Sequence, residues 1–351
     1  MKCFLTISLL FVAGICFSQK NNVNSLISVK HQPSQNKVDV TVGGKLFTSY
    51  YYPGPQLIKK PVLYPVYSPG GSLVTRGWPL DPRPGERVDH PHHIGIWFNY
   101  EDVDGNDFWN NSIQVNRPER KFGTILNTKI ISTQSGTEKG KLTTTSDWVD
   151  HSGKRLLVDT THIVFQTNGK SVYLIDYEIT LNAPDQDVFL KDVKDGMFAI
   201  RLARELELKY NEPQLLTGKD GVEMKEKIVD NGRVSGSYFN KEGIKDDDAW
   251  GKSSEWCAMT GKIGKEDVTV AIIDHPGNFG YLEGRWHARG YGLFALNSVA
   301  RKAYDKTQPP LEFSIRRGKS ARFRYRVVVA SQKLGNVQLD QLQREFASGR
   351  Q

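Results

Sequence analysis

Asp89-His-Pro-His-His-Ile-Gly-Ile-Trp97 packs three of the chain's eight histidines into four positions. Histidine exchanges protons near neutral pH and also ligates metals, so the cluster offers acid–base chemistry or a metal site. A second dense stretch, 275–297, reads HPGNFGYLEGRWHARGYGLFALN and adds His287, Arg289, Tyr291 and Asn297. The two stretches lie nearly two hundred residues apart. A site that uses both must therefore be assembled by folding. Any one of these histidines can simply brace a loop, whereas three together argue for a site.

Zinc needs three or four ligands, and His90, His92 and His287 with Asp89 would supply them. Histidine-lined pockets also work without metal, so the expectation is no cofactor, with zinc or another divalent ion as the alternative. Residues 97–109 surround Asp104-Gly105 with Trp97, Tyr100, Phe108 and Trp109, rings that stack on sugars or fill a core. Their acids do not form a calcium loop. The glycine is fourth rather than sixth, and Ile113 stands where the closing glutamate belongs.

Lys194, Asp195 and Arg201 flank Gly196 and an apolar run, which reads as a site edge or a surface ion pair. Arg322, Arg324 and Arg326 alternate, and that spacing reads as the solvated side of a strand. Cys257, beside Trp256, reads as core rather than nucleophile. There is no Gly-x-Ser-x-Gly elbow, phosphate-binding loop, dinucleotide fingerprint, Cys-x-x-Cys or His-Glu-x-x-His. Serine esterases and nicotinamide enzymes thereby lose their support.

The elements that must position these groups are strands. Val38–Val42, Gly43-Gly44 and Lys45–Tyr50 read as a hairpin with a two-glycine turn. β-branched and aromatic runs follow at 63–67, 94–100, 141–148, 156–166, 171–181, 198–202, 268–273, 292–296 and 323–330. One helix is expected over 337–348, where Leu339, Leu342 and Phe346 recur at helical spacing. Residues 209–248 are polar and read as an insertion on loops, long enough to cover a cleft. The expected fold is all-β: a large antiparallel β-sandwich, supersandwich-like, with loop insertions and a short C-terminal helix.

Residues 1–18 carry Lys2, an apolar run and Cys16-Phe-Ser18, which fits a signal peptide cut after Ser18. Residues 19–351 then form a single β domain in the periplasm or outside the cell. An anchor at Cys16 fits less well, because Ile15 precedes it. Only Cys257 would remain in the mature chain, which excludes an intrachain disulfide. No later segment approaches the roughly 20 apolar residues of a membrane span. The net charge of +8 fits an anionic partner or a bland solvated surface, and no recognisable nucleic-acid module accompanies it.

Several stretches together resemble a family of secreted bacterial proteins called PmoA-like, after a methane-oxygenase subunit. They are Leu63-Tyr-Pro65, Val74-Thr-Arg76, Asp89-His-Pro-His-His-x-Gly-x-Trp97, Asp192-x-Lys-Asp-Gly-x-Phe-x-x-Arg201 and Trp286-His-x-Arg-x-Tyr-Gly-x-Phe-x-x-Asn297. The label misleads, since a membrane subunit needs spans. The resemblance implies a β-sandwich and a link with bacterial carbohydrate breakdown. The chain departs from the pattern at Ser298-Val-Ala300, where the family has Pro-Phe-Gly.

These residue types suit elimination from an acidic oligosaccharide by a carbon–oxygen lyase or dehydratase. A uronic acid has a C5 proton beside its carboxylate, and its removal needs a base, a cation and an acid. The catalytic candidates are His287, His93, Tyr291 and Lys194, with His287 or His93 as base and Tyr291 as acid. Arg201 and Arg289 join Lys194 on the carboxylate, and His90, His92, Arg76, Trp97, Asn99, Asp195 and Asn297 complete the substrate-binding set. The alternatives are a hydrolase or epimerase on a neutral sugar, with Asp89, Asp195 and Glu283 as unpaired carboxylates, or a glycan-binding module without turnover.

Overall fold

The computed structural model describes residues 26–168 and 171–349. The signal-peptide reading of residues 1–18 lies outside the described residues. Two eight-stranded antiparallel sheets form the body of the described residues, with two small two-stranded sheets beside them. In spatial order the first runs Ile27–Gln32, Lys37–Val42, Lys45–Tyr51, Val62–Val66, Ile96–Tyr100, Gly196–Arg201, Leu293–Asn297 and Arg285–Ala288. The second runs Ser237–Asn240, Trp256–Ile263, Glu266–Asp274, Ser320–Ala330, Val172–Asn182, Arg155–Thr167, Lys139–Val149 and Thr124–Gln134. Gly43 and Gly44 both take positive φ in the expected hairpin turn.

Alternating burial along Lys139–Val149 shows how sequence makes this architecture: every second side chain enters the core. The inner faces interlock through aromatic rings. Phe198 of the first sheet stacks on Tyr325 of the second at 4.5 Å and meets Tyr177 edge-on at 5.0 Å. The helix Asn336–Ala347 lays Leu339, Leu342 and Phe346 on the other side of the second sheet, against Trp256, Ile273 and Val328.

That helix overturns one expectation. Arg326 is 2% exposed, not solvated. It makes a bidentate pair with Asp176 at 2.6 and 2.7 Å and donates to the Leu342 carbonyl. The helix covers this strand, so alternation alone misjudged what lay outside it. The 209–248 segment also differs from expectation. It contains a small hairpin, Gln214–Thr217 with Glu223–Ile228, and the edge strand Ser237–Asn240.

The outer face of the first sheet carries the site. Trp97 pairs with Ala199, Ala199 with Ala295 and Ala295 with His287. Two alanines between two large rings leave a trough, because side chains on paired positions share a face. A second apolar cluster of Ile94, Trp97, Trp109, Ala199 and Leu293 forms on this face, with Tyr291 packed against it. Gly196 has no room for a side chain. A Cβ there would meet the Tyr100 ring at 2.4 Å.

Candidate active site

The loop 87–93 is wrapped around one guanidinium. Arg76 donates to the carbonyls of Arg87, Asp89, His90 and His93 at 2.8–3.2 Å. Its Nη1 also meets Asp89 Oδ1 at 2.6 Å, and Arg201 Nη2 reaches the same oxygen at 2.7 Å. Both arginines are buried. Burial opposes ionisation of Asp89, but Arg201, His90 and Arg76 outweigh it and hold the carboxyl well below the usual range. His90 turns the loop with φ +44° and keeps its side chain 42% exposed, its Nδ1 3.4 Å from Asp89 Oδ2.

Beside this loop opens a cleft of about 920 Å3. His90, His92, His93, Lys194, Asp195 and Tyr291 line it, from three separate parts of the sequence. The His90 ring lies parallel to His93 at 4.9 Å and to Tyr291 at 4.9 Å. Burial, against the pull of Arg201 and Arg289, pushes the Tyr291 phenol up to about 12, so it stays protonated at neutral pH.

His93 Nδ1 lies 3.4 Å from Arg201 Nη1. A guanidinium has no acceptor, so Nδ1 accepts and the ring proton sits on Nε2. Nε2 is buried without a protein partner, as are both nitrogens of His92. Burial, then neighbouring positive groups, holds both rings well below the ordinary histidine pKa. His93 therefore presents a donor and is not built as the base. Beneath them Lys60 donates to the His92 carbonyl at 2.6 Å and sits over Trp97 at 5.2 Å. Burial pulls its amine down to about 7 against the charge of Asp107.

His287 stands one layer back. It is absent from the cleft wall, and its Nδ1 lies 3.5 Å from Asp195 Oδ1. That spacing suits an ion pair, but burial, then Lys194 and Arg289, pulls His287 down to about 3, so the ring is neutral. Nδ1 makes no hydrogen bond. A buried imidazolium would need a close partner, and none is in place. A histidine whose pKa falls on folding makes the unfolded state the better proton binder below the ordinary value of 6.5. Its neutral form is favoured above that value, and stability drains away as pH falls toward 3. Relative to its own difference at pH 7, the His287→Gln variant should thus gain about 2–3 kcal/mol on wild type by pH 4.5. Urea unfolding at the two pH values measures this.

Other expected site residues serve beneath the surface. Trp97 donates to Asn99 at 3.0 Å and Asn99 to the Phe108 carbonyl at 2.7 Å, both buried. Asn297 donates to the Val193 and Lys194 carbonyls, and Tyr304 also donates to Lys194. These groups fix the loop that carries Lys194 and Asp195. Arg76, Arg201, Trp97, Asn99 and Asn297 position the cleft rather than face it. Arg289 is exposed, its Cζ 5.8 Å from the Tyr291 ring, and is not part of the wall. No residue of 209–248 lines the cleft, so that insertion does not cover it. Glu283 is likewise off the wall and pairs with Arg301 at 2.7 Å. Among the described residues no three His, Cys, Asp or Glu side chains come together as a metal site, and His90, His92, His287 and Asp89 do not form one.

Sequence reasoning missed Glu101, Arg117, Arg120, Lys302 and Lys306, all on the wall. Glu101 follows a strand whose Tyr100 pairs with Gly196, which sets it opposite Asp195. Its amide donates to the Asp195 carbonyl at 2.9 Å. Burial, then the charge of Asp195, raises the Glu101 carboxyl, and burial, against Lys194, raises Asp195. Arg120 pairs with Asp107 and lies 3.6 Å from Glu101. Asp192 accepts the amides of Arg301, Lys302, Ala303 and Leu311, and so hangs the cationic loop on the cleft edge.

A model described as a family of unknown function (DUF6807) matches residues 37–344. No curated protein matches the chain. Among solved structures, the Slr1438 protein of Synechocystis sp. PCC 6803 is 9% identical with a TM-score of 0.34, covering 92% of this chain and 100% of that one. A beta-arabinopyranosidase is 11% identical with a TM-score of 0.32, covering 87% of this chain and 38% of that one.

Proposed function

The chain belongs to the DUF6807 family, and we propose that it is a carbon–oxygen lyase acting on acidic, uronic-acid-containing oligosaccharides during polysaccharide breakdown. What carries this reading is the parallel pairing of His90 with Tyr291 on one wall of a cleft rimmed by Arg117, Arg120, Lys194, Lys302 and Lys306. His90, oriented by Asp89, takes the C5 proton. The electron pair forms the C4–C5 double bond and expels the C4 oxygen, which receives the Tyr291 proton. Lys194 and the rim cations hold the carboxylate and the charge that builds on it. His93, first expected as a base, stacks on His90 instead, and His287, the other base first expected, stands behind Asp195. The apolar leader read in residues 1–18 and the PmoA-like resemblance favour action after export.

A second reading rests on Glu101 and Asp195, two carboxyls with raised pKa on the same cleft. Such a pair is the equipment of a glycoside hydrolase. One experiment separates the readings: purified protein is incubated with panels of acidic and neutral oligosaccharides while ultraviolet absorbance and product masses are recorded. Elimination gives a new absorbing double bond, with loss of water where a hydroxyl leaves. Chain cleavage with gain of water marks hydrolysis, and binding without turnover marks a module.

A further inference from the structure

A second groove, of about 590 Å3, runs along the short strands Val188–Leu190 and Phe313–Ile315. It meets the main cleft at Asp192, which lines both. The loop hung on Asp192 is the ridge between them: Lys302 and Lys306 face the cleft, while Pro310 and Leu311 face the groove.

Phe189 stands in this groove 56% exposed. A phenylalanine left in water forgoes the favourable burial of its ring. Its backbone is nevertheless held on both sides, the amide by Asp104 Oδ1 at 2.9 Å and the carbonyl by the Asp104 amide at 2.9 Å. The strand partner opposite is Ser314, too small to cover the ring. A fixed, open aromatic ring with Lys191 and Arg316 beside it fits the apolar face and polar edge of a sugar.

We propose that this groove is a subsite for sugars further along the oligosaccharide, and that Phe189 is its stacking platform. The inference rests on the acidic-sugar reading of the cleft for its first arm. It commits to one occupant, the continuation of the chain held at His90 and Tyr291, because the groove adjoins the cleft and shares Asp192 with its wall.

The test is calorimetric binding of wild type, Phe189→Ala and Phe189→Trp. The probes are disaccharides and octasaccharides of galacturonate, glucuronate and mannuronate, with cellobiose and cellohexaose as neutral probes. Wild type should hold an acidic octasaccharide about fivefold to tenfold more tightly than its disaccharide, as one aromatic contact supplies. Phe189→Ala should lose that length gain and leave the disaccharide unchanged, while Phe189→Trp should keep it. Disaccharide binding without a length gain, or a gain that Phe189→Ala retains, overturns the subsite and spares the cleft reading. If acidic probes fail and cellohexaose shows the Phe189-dependent gain, the subsite stands and the acidic reading falls. If no probe of either kind binds, both fall.

Discussion

Replacing His90 with alanine should lower turnover of an acidic oligosaccharide by about 10²–10⁴-fold while the protein stays folded, since positioned proton transfer contributes that much. The fold should tolerate the change because the side chain is half out in solvent and its backbone, not its ring, is what Arg76 grips. Tyr291→Phe should cost a similar factor. It keeps the ring that packs on His90 at 4.9 Å and against Arg201, whose Cζ lies 4.9 Å away, and removes only the proton donor. If one removes the C5 proton while the other protonates the departing oxygen, they act in one event. The double variant should then lose little more than the worse single one. Two side chains on one wall also reach one face of the sugar, so the proton and the leaving oxygen should depart syn. Steady-state rates of the three variants decide this. Wild-type turnover by His90→Ala with loss of activity in Glu101→Gln would reject the elimination and promote the carboxylate pair.

What could be read from residues alone followed the range of the interactions. The Gly43-Gly44 hairpin and the strands around 156–166 and 171–181 are local patterns, and they fold within a residue or two of expectation. The convergence of His90, His93 and Tyr291 was legible because chemistry is so dense in both stretches. Glu101 and Asp195 are 94 residues apart and meet only through the Tyr100–Gly196 pairing. No spacing rule announces such a pair. Trp97 and Asn99 were expected to touch substrate but lie one layer too deep, since the histidine loop lies over Trp97, with His93 at 5.4 Å from its ring. Depth beneath a loop, like the cover that the helix gives Arg326, depends on chain that returns from elsewhere.

Asp89→Ala should destabilise the protein by about 3–5 kcal/mol, the cost of stripping a buried charge of its partner. Here two charges are stripped at once. Arg76 and Arg201 are at most 1% exposed, and burial, then the charge of Arg201, already makes it harder for Arg76 to stay charged. Without Asp89 no carboxylate among the described residues pairs with them directly, because their remaining hydrogen-bond partners are carbonyls and the His93 ring. The pH dependence carries a definite sign. Folding depresses the Asp89 pKa, so its contribution is complete above the ordinary carboxylate value and lost as pH falls through the folded one. The stability gap between wild type and Asp89→Asn should therefore be flat from neutral pH to about 5 and close only below about 4. Urea unfolding across that range reads it directly, and a gap that closes near pH 6 would transfer the effect to the histidines. A triple replacement, Arg76→Met, Asp89→Leu and Arg201→Met, supplies the remaining control. Apolar side chains of similar volume can restore stability to a dismantled charge cluster. Activity should not return with it, because the loop that presents His90 hangs on the Arg76 guanidinium and not on the volume it fills.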